Sequence, residues 1–325
     1  SSAAYHQTPD KCSSYAIINR LWNSRRRSIS GIGPLSPRIN DPGRNTNQYY
    51  NERRRCSIFS LVSYAGTSSV SVRLKNITYK IGGQVIVRGA STLIKSGHLT
   101  VIIGPNGAGK STIVKLICGE ITPNSGAIFL NDTALPLLDL KAQARIRSVM
   151  TQSTSLAFDF RVRDILELSW SKGSFSSFQA RMCGLAEKNE VRHLLHQNFR
   201  TLSGGEQQRV LFTRALLQID EPSASRDDQY LFLDEPTAHL DIKHELHTLQ
   251  LCREYTSAGL GVVAVLHDLN LAARFADRII LMKSGEIVSQ GPTADVLTAK
   301  HLTESYETPI DVLFDAPKNR LFIYT

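Results

Sequence analysis

The sequence predicts an α/β fold built on a parallel sheet, and three observations lead to it. Leu99-Thr-Val-Ile-Ile103 is a short unbroken apolar run, of the kind buried on both faces of a parallel sheet. A glycine-rich loop and a helix-period segment follow it directly. Two further apolar runs, at 230–233 and 262–266, recur downstream with helical texture between and after them.

The first 68 residues stand apart from this pattern. They hold ten Lys or Arg against three acids, a local net charge of +7, whereas residues 69–325 carry only +2 of the chain's total of +9. Runs such as Arg25-Arg26-Arg27 and Arg53-Arg54-Arg55 repel one another in a packed domain, and no apolar periodicity accompanies them. Residues 1–68 are therefore read as a basic, disordered or non-native extension. An organellar transit peptide or a nucleic-acid-binding arm are the alternatives for that stretch. The nearly neutral remainder does not call for a nucleic-acid partner.

From residue 69 the globular pattern runs element by element. Residues 70–79 alternate as a half-buried strand, Gly82-Gly83 turns the chain, and residues 85–87 return along it as a hairpin. Ser96-Gly97 leads into the 99–103 strand; residues 111–118 form a helix with Ile113, Leu116 and Ile117 on one face. The stretch from about 140 to 215 reads mostly helical. Strands at 230–233 and 262–266 follow, then a helix at 269–276, a strand at 278–282, a Ser-Gly turn, a strand at 286–289 and a helix from about Thr293.

The five cysteines (Cys12, Cys56, Cys118, Cys183, Cys252) are scattered and form no C-x-x-C pair, so neither a zinc site nor a disulfide framework is indicated, and a reducing compartment fits. No apolar run approaches the roughly 18–20 residues that span a bilayer.

The chemistry concentrates in three motifs. Gly104, Pro105, Asn106, Gly107, Ala108, Gly109, Lys110, Ser111 and Thr112 fill every position of the phosphate-binding P-loop. Glycines let successive backbone N–H groups point at one anion, and the following helix adds its positive end. Lys110 can reach the β- and γ-phosphates, and Ser111 can ligate Mg²⁺. A chance glycine-rich turn is the alternative, and the apolar strand before and helix after argue against it. The strand Tyr230-Leu-Phe-Leu-Asp234 ends in two carboxylates: Asp234 is placed to hold the metal through water, and Glu235 to polarise an attacking water. Without the P-loop such a pair would read as a solvated turn. Leu202-Ser203-Gly204-Gly205-Glu206-Gln207-Gln208-Arg209 opens another helix, which alone would be an ordinary N-cap but offers a second anion-receiving helix terminus.

Taken together these motifs closely resemble the ABC-type ATPases, over essentially all of residues 69–325. The resemblance implies a P-loop NTPase with a RecA-like core, an antiparallel β subdomain and a helical subdomain inserted at about 140–215. It implies ATP and Mg²⁺ as ligands, bound between two subunits so that Ser203, Gly204 and Gly205 of one cover the P-loop phosphates of the other. In family order, Gln152 matches the glutamine that senses Mg²⁺ and the γ-phosphate, Asp241 the D-loop acid that links the two sites, and His267 the switch histidine; Tyr79 takes the place of the aromatic that stacks on adenine. The implied catalytic set is thus Glu235, His267, Lys110 and Gln152, with Ser111, Gln152 and Asp234 toward the metal.

The resemblance narrows further. Ser155-Leu-Ala-Phe158, Arg209-Val-Leu-Phe-Thr-Arg214, the polar insert at 220–229 and His267-Asp-Leu-Asn-Leu-Ala-Ala-Arg are similar to the haemin-import ATPases, within the iron-chelate and cobalamin importer group. This implies a homodimer peripheral on the cytoplasmic face of the inner membrane, a separate permease dimer, and a periplasmic binding protein reached indirectly. A ferric siderophore or cobalamin is the alternative cargo. A non-transport ABC ATPase of DNA repair or translation is the alternative class; one cassette, no sustained heptads and a neutral domain argue against it.

Overall fold

The computed structural model describes residues 71–151, 159–170, 174–219, 228–317 and 320–325. The expectations for residues 1–68, for Gln152, for 155–158 and for most of the 220–229 insert lie outside them.

Strands β1 (Ser71–Ile81) and β2 (Gln84–Lys95) form the predicted hairpin, with Ile81 facing Gln84 across the Gly82-Gly83 turn. Both turn glycines have positive φ (56° and 86°), which the tight two-residue connection requires. β2 continues well past the residues whose alternation announced it. After β3 (Leu99–Ile103) and α1 (Lys110–Ile117) come β4 (Ser125–Leu130) and the short β5 (Thr133–Ala134). These complete a four-stranded sheet in the order β2-β1-β4-β5, in which every pairing is antiparallel.

The stretch expected to be mostly helical begins with α2 (Leu140–Ile146) and then a strand, β6 (Arg147–Met150). The strand was not expected. Its four residues give periodicity little to work on, and one of its two inward positions is Ser148. Helices α3 (Val162–Glu167), α4 (Phe175–Lys188) and α5 (Gly204–Ile219) follow. β7 (Tyr230–Asp234) and β8 (Gly261–Val265) are separated by α6 (Ile242–Ser257), a helix the motif reading passed over. The chain closes with α7 (Leu269–Phe275), β9 (Arg278–Lys283), β10 (Glu286–Pro292), α8 (Thr293–Val296), α9 (Ala299–Tyr306) and an unforeseen hairpin of β11 (Asp311–Asp315) and β12 (Arg320–Tyr324).

The central sheet runs β10-β9-β3-β8-β7-β6; β9 through β6 are parallel and β10 is an antiparallel edge. Its inner strands β3, β8 and β7 are buried at every position, so alternate residues enter two separate cores. Val101, Ile103, Leu231, Leu233, Val262 and Ala264 face one core, shared with α3–α7. Ile102, Phe232, Val263 and Val265 face the other, where α1 lies between the two sheets through Ile113, Val114, Leu116 and Ile117. Burying each such Val, Leu or Ile contributes about 1.5–3 kcal/mol relative to exposure.

Candidate functional site

The P-loop leaves β3 at Gly104, whose φ is 144°; a Cβ there would lie 2.1 Å from the carbonyl oxygen of Met282 on β9. Only glycine lets the chain turn that close to its neighbouring strand. The loop is fastened at its far side too: the N–H of Gly285 donates to the carbonyl of Ala108 (3.1 Å), and that of Arg88 on β2 donates to Gly285 (2.9 Å). Gly109, at φ 94°, caps α1. The first turn of α1 thus begins at Lys110 with its N–H groups directed at the loop, the arrangement that receives phosphate.

The side chain of Lys110 folds back over the loop, its Nζ donating to the carbonyls of Gly104 (2.8 Å) and Pro105 (3.0 Å). It is only 6 % exposed. Burial pulls its pKa below the ordinary lysine value, against the opposing pull of Glu235 and Asp234. An anion at the loop would replace these two carbonyls with charged acceptors.

The end of β7 lies beside the loop. The hydroxyl of Ser111 donates to Oδ1 of Asp234 (3.1 Å), joining two motifs 123 residues apart. Burial raises the pKa of Asp234 above its ordinary value, with the Ser111 hydrogen bond acting the other way. Glu235 follows with a left-handed backbone, φ 54°. Its Oε1 lies 2.7 Å from Nε2 of His267, just past β8, and its carbonyl accepts from Nε2 of Gln208 on α5 (2.7 Å). The structure thus brings Lys110, Ser111, Asp234, Glu235 and His267 together. Tyr79 sits on β1 opposite Val87, half-buried against the second core.

Ser203 caps α5. Its hydroxyl accepts from the Glu206 N–H (3.4 Å) while its own N–H donates to Oε2 of Glu206 (2.9 Å), the reciprocal pattern of a capping box, and the hydroxyl also donates to that Oε2 (2.7 Å). These bonds hold the Glu206 carboxyl below its usual pKa. The adjoining glycines face the segment after β7: a Cβ on Gly205 would lie 2.9 Å from the carbonyl oxygen of His239, and one on Gly204 3.3 Å from the His239 Cβ. Asp241 caps α6, accepting from the His244 N–H (2.9 Å). The helix termini at Ser203 and Asp241 are thus neighbours within one chain.

Sequence reasoning missed two residues here. Gln208 is buried and tethers the backbone of Glu235; it lay within the motif run 202–209, but nothing there assigned it a contact. Tyr306, from α9, reaches the start of the P-loop: burial pushes its phenol up to about 12, although a hydrogen bond with the Gly104 backbone acts the other way. No motif announces it, because the contact joins segments 202 residues apart.

Comparison with known proteins agrees with this geometry. The family described as ABC transporter matches residues 87–238. The hemin import ATP-binding protein HmuV of Agrobacterium fabrum is 40% identical over 236 residues, which cover 72% of this chain and 90% of that protein. The protein of the same name from Rhizobium meliloti is 41% identical over 229 residues, covering 70% and 87%. Among solved structures, a bacterial ABC transporter cassette with a dimeric structure superposes with a TM-score of 0.59 at 27% identity, over 68% of this chain and 98% of that one.

Proposed function

This chain belongs to the ABC transporter family of ATP-binding proteins, and from that premise we propose that it powers haem import, hydrolysing MgATP between two copies of itself. The ATP-binding subunits of this family are ATPases, and this chain is one of them. The observation that carries the residue assignments is the convergence of Ser111 with Asp234 and of Glu235 with His267 beside one P-loop.

In this reading the P-loop backbone and Lys110 hold the β- and γ-phosphates of ATP, with Thr112 beside them in the first turn of α1. Ser111 and Asp234 offer a hydroxyl and a buried carboxylate, the hard oxygen donors that suit Mg²⁺, and Gln152 completes that set by family position. When bound, Mg²⁺ supplies positive charge to the phosphate oxygens. Glu235 orients and polarises the attacking water, and His267 holds the Glu235 carboxylate and faces the γ-phosphate. Tyr79 stacks on adenine. Ser203, Gly204 and Gly205 present the positive end of α5 to the nucleotide of a second copy, and Asp241 joins the two sites.

Haem as cargo is supported by the curated relatives, which are hemin import ATP-binding proteins sharing 40–41% identity with this chain. A membrane permease carries the cargo path in this proposal, because no helix among the described residues is long and apolar enough to cross a membrane. The dimer sits on the permease at the cytoplasmic face, and a periplasmic binding protein delivers haem from the other side.

The test is growth of an iron-starved bacterial host that carries the cognate permease, with haem as the sole iron source, on wild type or Glu235→Gln. Growth on wild type alone is expected. Failure on haem with rescue by a ferric siderophore or cobalamin would keep the ATPase and overturn the cargo.

A further inference from the structure

The segment between β7 and α6 is gripped at two places by the helices of residues 162–219. One grip is the close approach of Gly204 and Gly205 to His239, whose own backbone is left-handed at φ 62°. The other is made by His244, in the first turn of α6. Its Nδ1 lies 2.8 Å from Oδ1 of Asp241, and its Nε2 lies 3.3 Å from Oε2 of Glu190, just beyond α4. The imidazole is only 13% exposed between these two carboxylates. Around it, Lys243 donates to both oxygens of Glu190 (2.7 and 2.9 Å), and Nε2 of His247 lies 2.7 Å from the carbonyl of Lys188, itself paired with Glu254. Arg209 on α5 acts on the charge of Asp241, and Asp241 in turn on Glu245.

We infer that His244 is a positioning residue for ATP hydrolysis, holding the Asp241 segment to the end of α4 through a ring bonded at both nitrogens. The inference rests on the proposed role of Asp241 between two nucleotide sites. A neutral imidazole has one N–H, so it can donate to only one of the two carboxylates. The doubly protonated ring donates to both, and is the form that links the two segments. Lys243 holds Glu190 whatever the state of His244, so Glu190 stays in place as an acceptor. The link couples any tilt of α4 and α5 to the segment that carries Asp241. Loss of a proton from the ring removes one of its two donors and opens the link.

The experiment measures ATPase activity of the purified full chain from pH 5.5 to 8.5, for wild type, His244→Ala, Glu190→Gln and the double variant. Thermal unfolding of each confirms folding. Either single change is expected to lower kcat about five- to tenfold at pH 6 with little change in KM, as for a residue that places rather than binds. The wild-type advantage should shrink as pH rises toward 8, and the double variant should be no worse than either single one, because both remove the same link. A wild-type to His244→Ala ratio that is flat with pH, or fully multiplicative single effects, would overturn the inference. If Glu235→Gln, assayed alongside, retains wild-type turnover, the underlying site assignment fails instead.

Discussion

Nε2 of His267 lies 2.7 Å from Oε1 of Glu235, so the ends of β8 and β7 meet at a single carboxylate. The backbone of that glutamate is held by Gln208 of α5, which brings a third element to the same residue. Substituting Glu235 by Gln keeps the shape and removes the carboxylate proposed as the base. Turnover should fall about 10²–10⁴-fold with ATP binding retained, as read by steady-state ATPase and nucleotide-binding assays. Near-normal turnover would exclude Glu235 as the base.

Lys110 is buried, and its pKa is lowered chiefly by that burial. The fold therefore gains little from the charge when no nucleotide is present. Lys110→Met should leave the Tm of the nucleotide-free protein within a few degrees of wild type. The rise in Tm that ATP confers by binding the folded state should vanish. A variant that still gained stability from ATP would argue against the lysine as the phosphate contact.

Asp234 is the mirror case. Its folded pKa is raised by burial, so its contribution favours folding below the ordinary carboxylate range and is lost as pH rises through the raised value. At neutral pH the ionised carboxylate opposes folding. Asp234→Asn retains an acceptor for Ser111 and should raise Tm at pH 7, with the advantage shrinking toward pH 4, while ATPase activity is lost. Equal Tm differences at both pH values would contradict the burial argument.

Gly104→Ala places a methyl 2.1 Å from the Met282 carbonyl oxygen, at a φ that side chains avoid. A cost of roughly 1–3 kcal/mol or more is expected, lowering Tm by about 2–4 °C for each kcal/mol, together with loss of ATP binding. Gly107→Ala is the control, since nothing lies within 4 Å of its Cβ position and only its φ of 78° opposes the change.

Asp277 accepts from the N–H of Leu99 (2.8 Å) and from Arg253, anchoring the start of β3 far from the nucleotide site. Asp277→Ala leaves that N–H without its acceptor and should cost about 1–3 kcal/mol in urea unfolding, with kcat unchanged. A fall in kcat without loss of stability would mean the anchor acts on the P-loop itself.

The sequence alone determined the three motifs, because the parts of each are contiguous in the chain. The P-loop lies within 104–112, the acidic pair within 234–235 and the capped helix start within 203–206, and each is set by backbone conformations that its own residues demand. Strands β3, β7 and β8 were legible because all five residues of each are buried, leaving no polar interruption. Tertiary structure alone decided the rest. β6 is four residues long and becomes a strand only by pairing with β7. The β11–β12 hairpin is tied to α7 by Asn270, whose side chain both donates to and accepts from the backbone of Ile323. The hydrogen bond of Gln208 to Glu235, the approach of Gly205 to His239, and the bridge of His244 to Glu190 join residues 27 or more positions apart. No local propensity encodes such meetings, because they depend on which surfaces the two cores bring together.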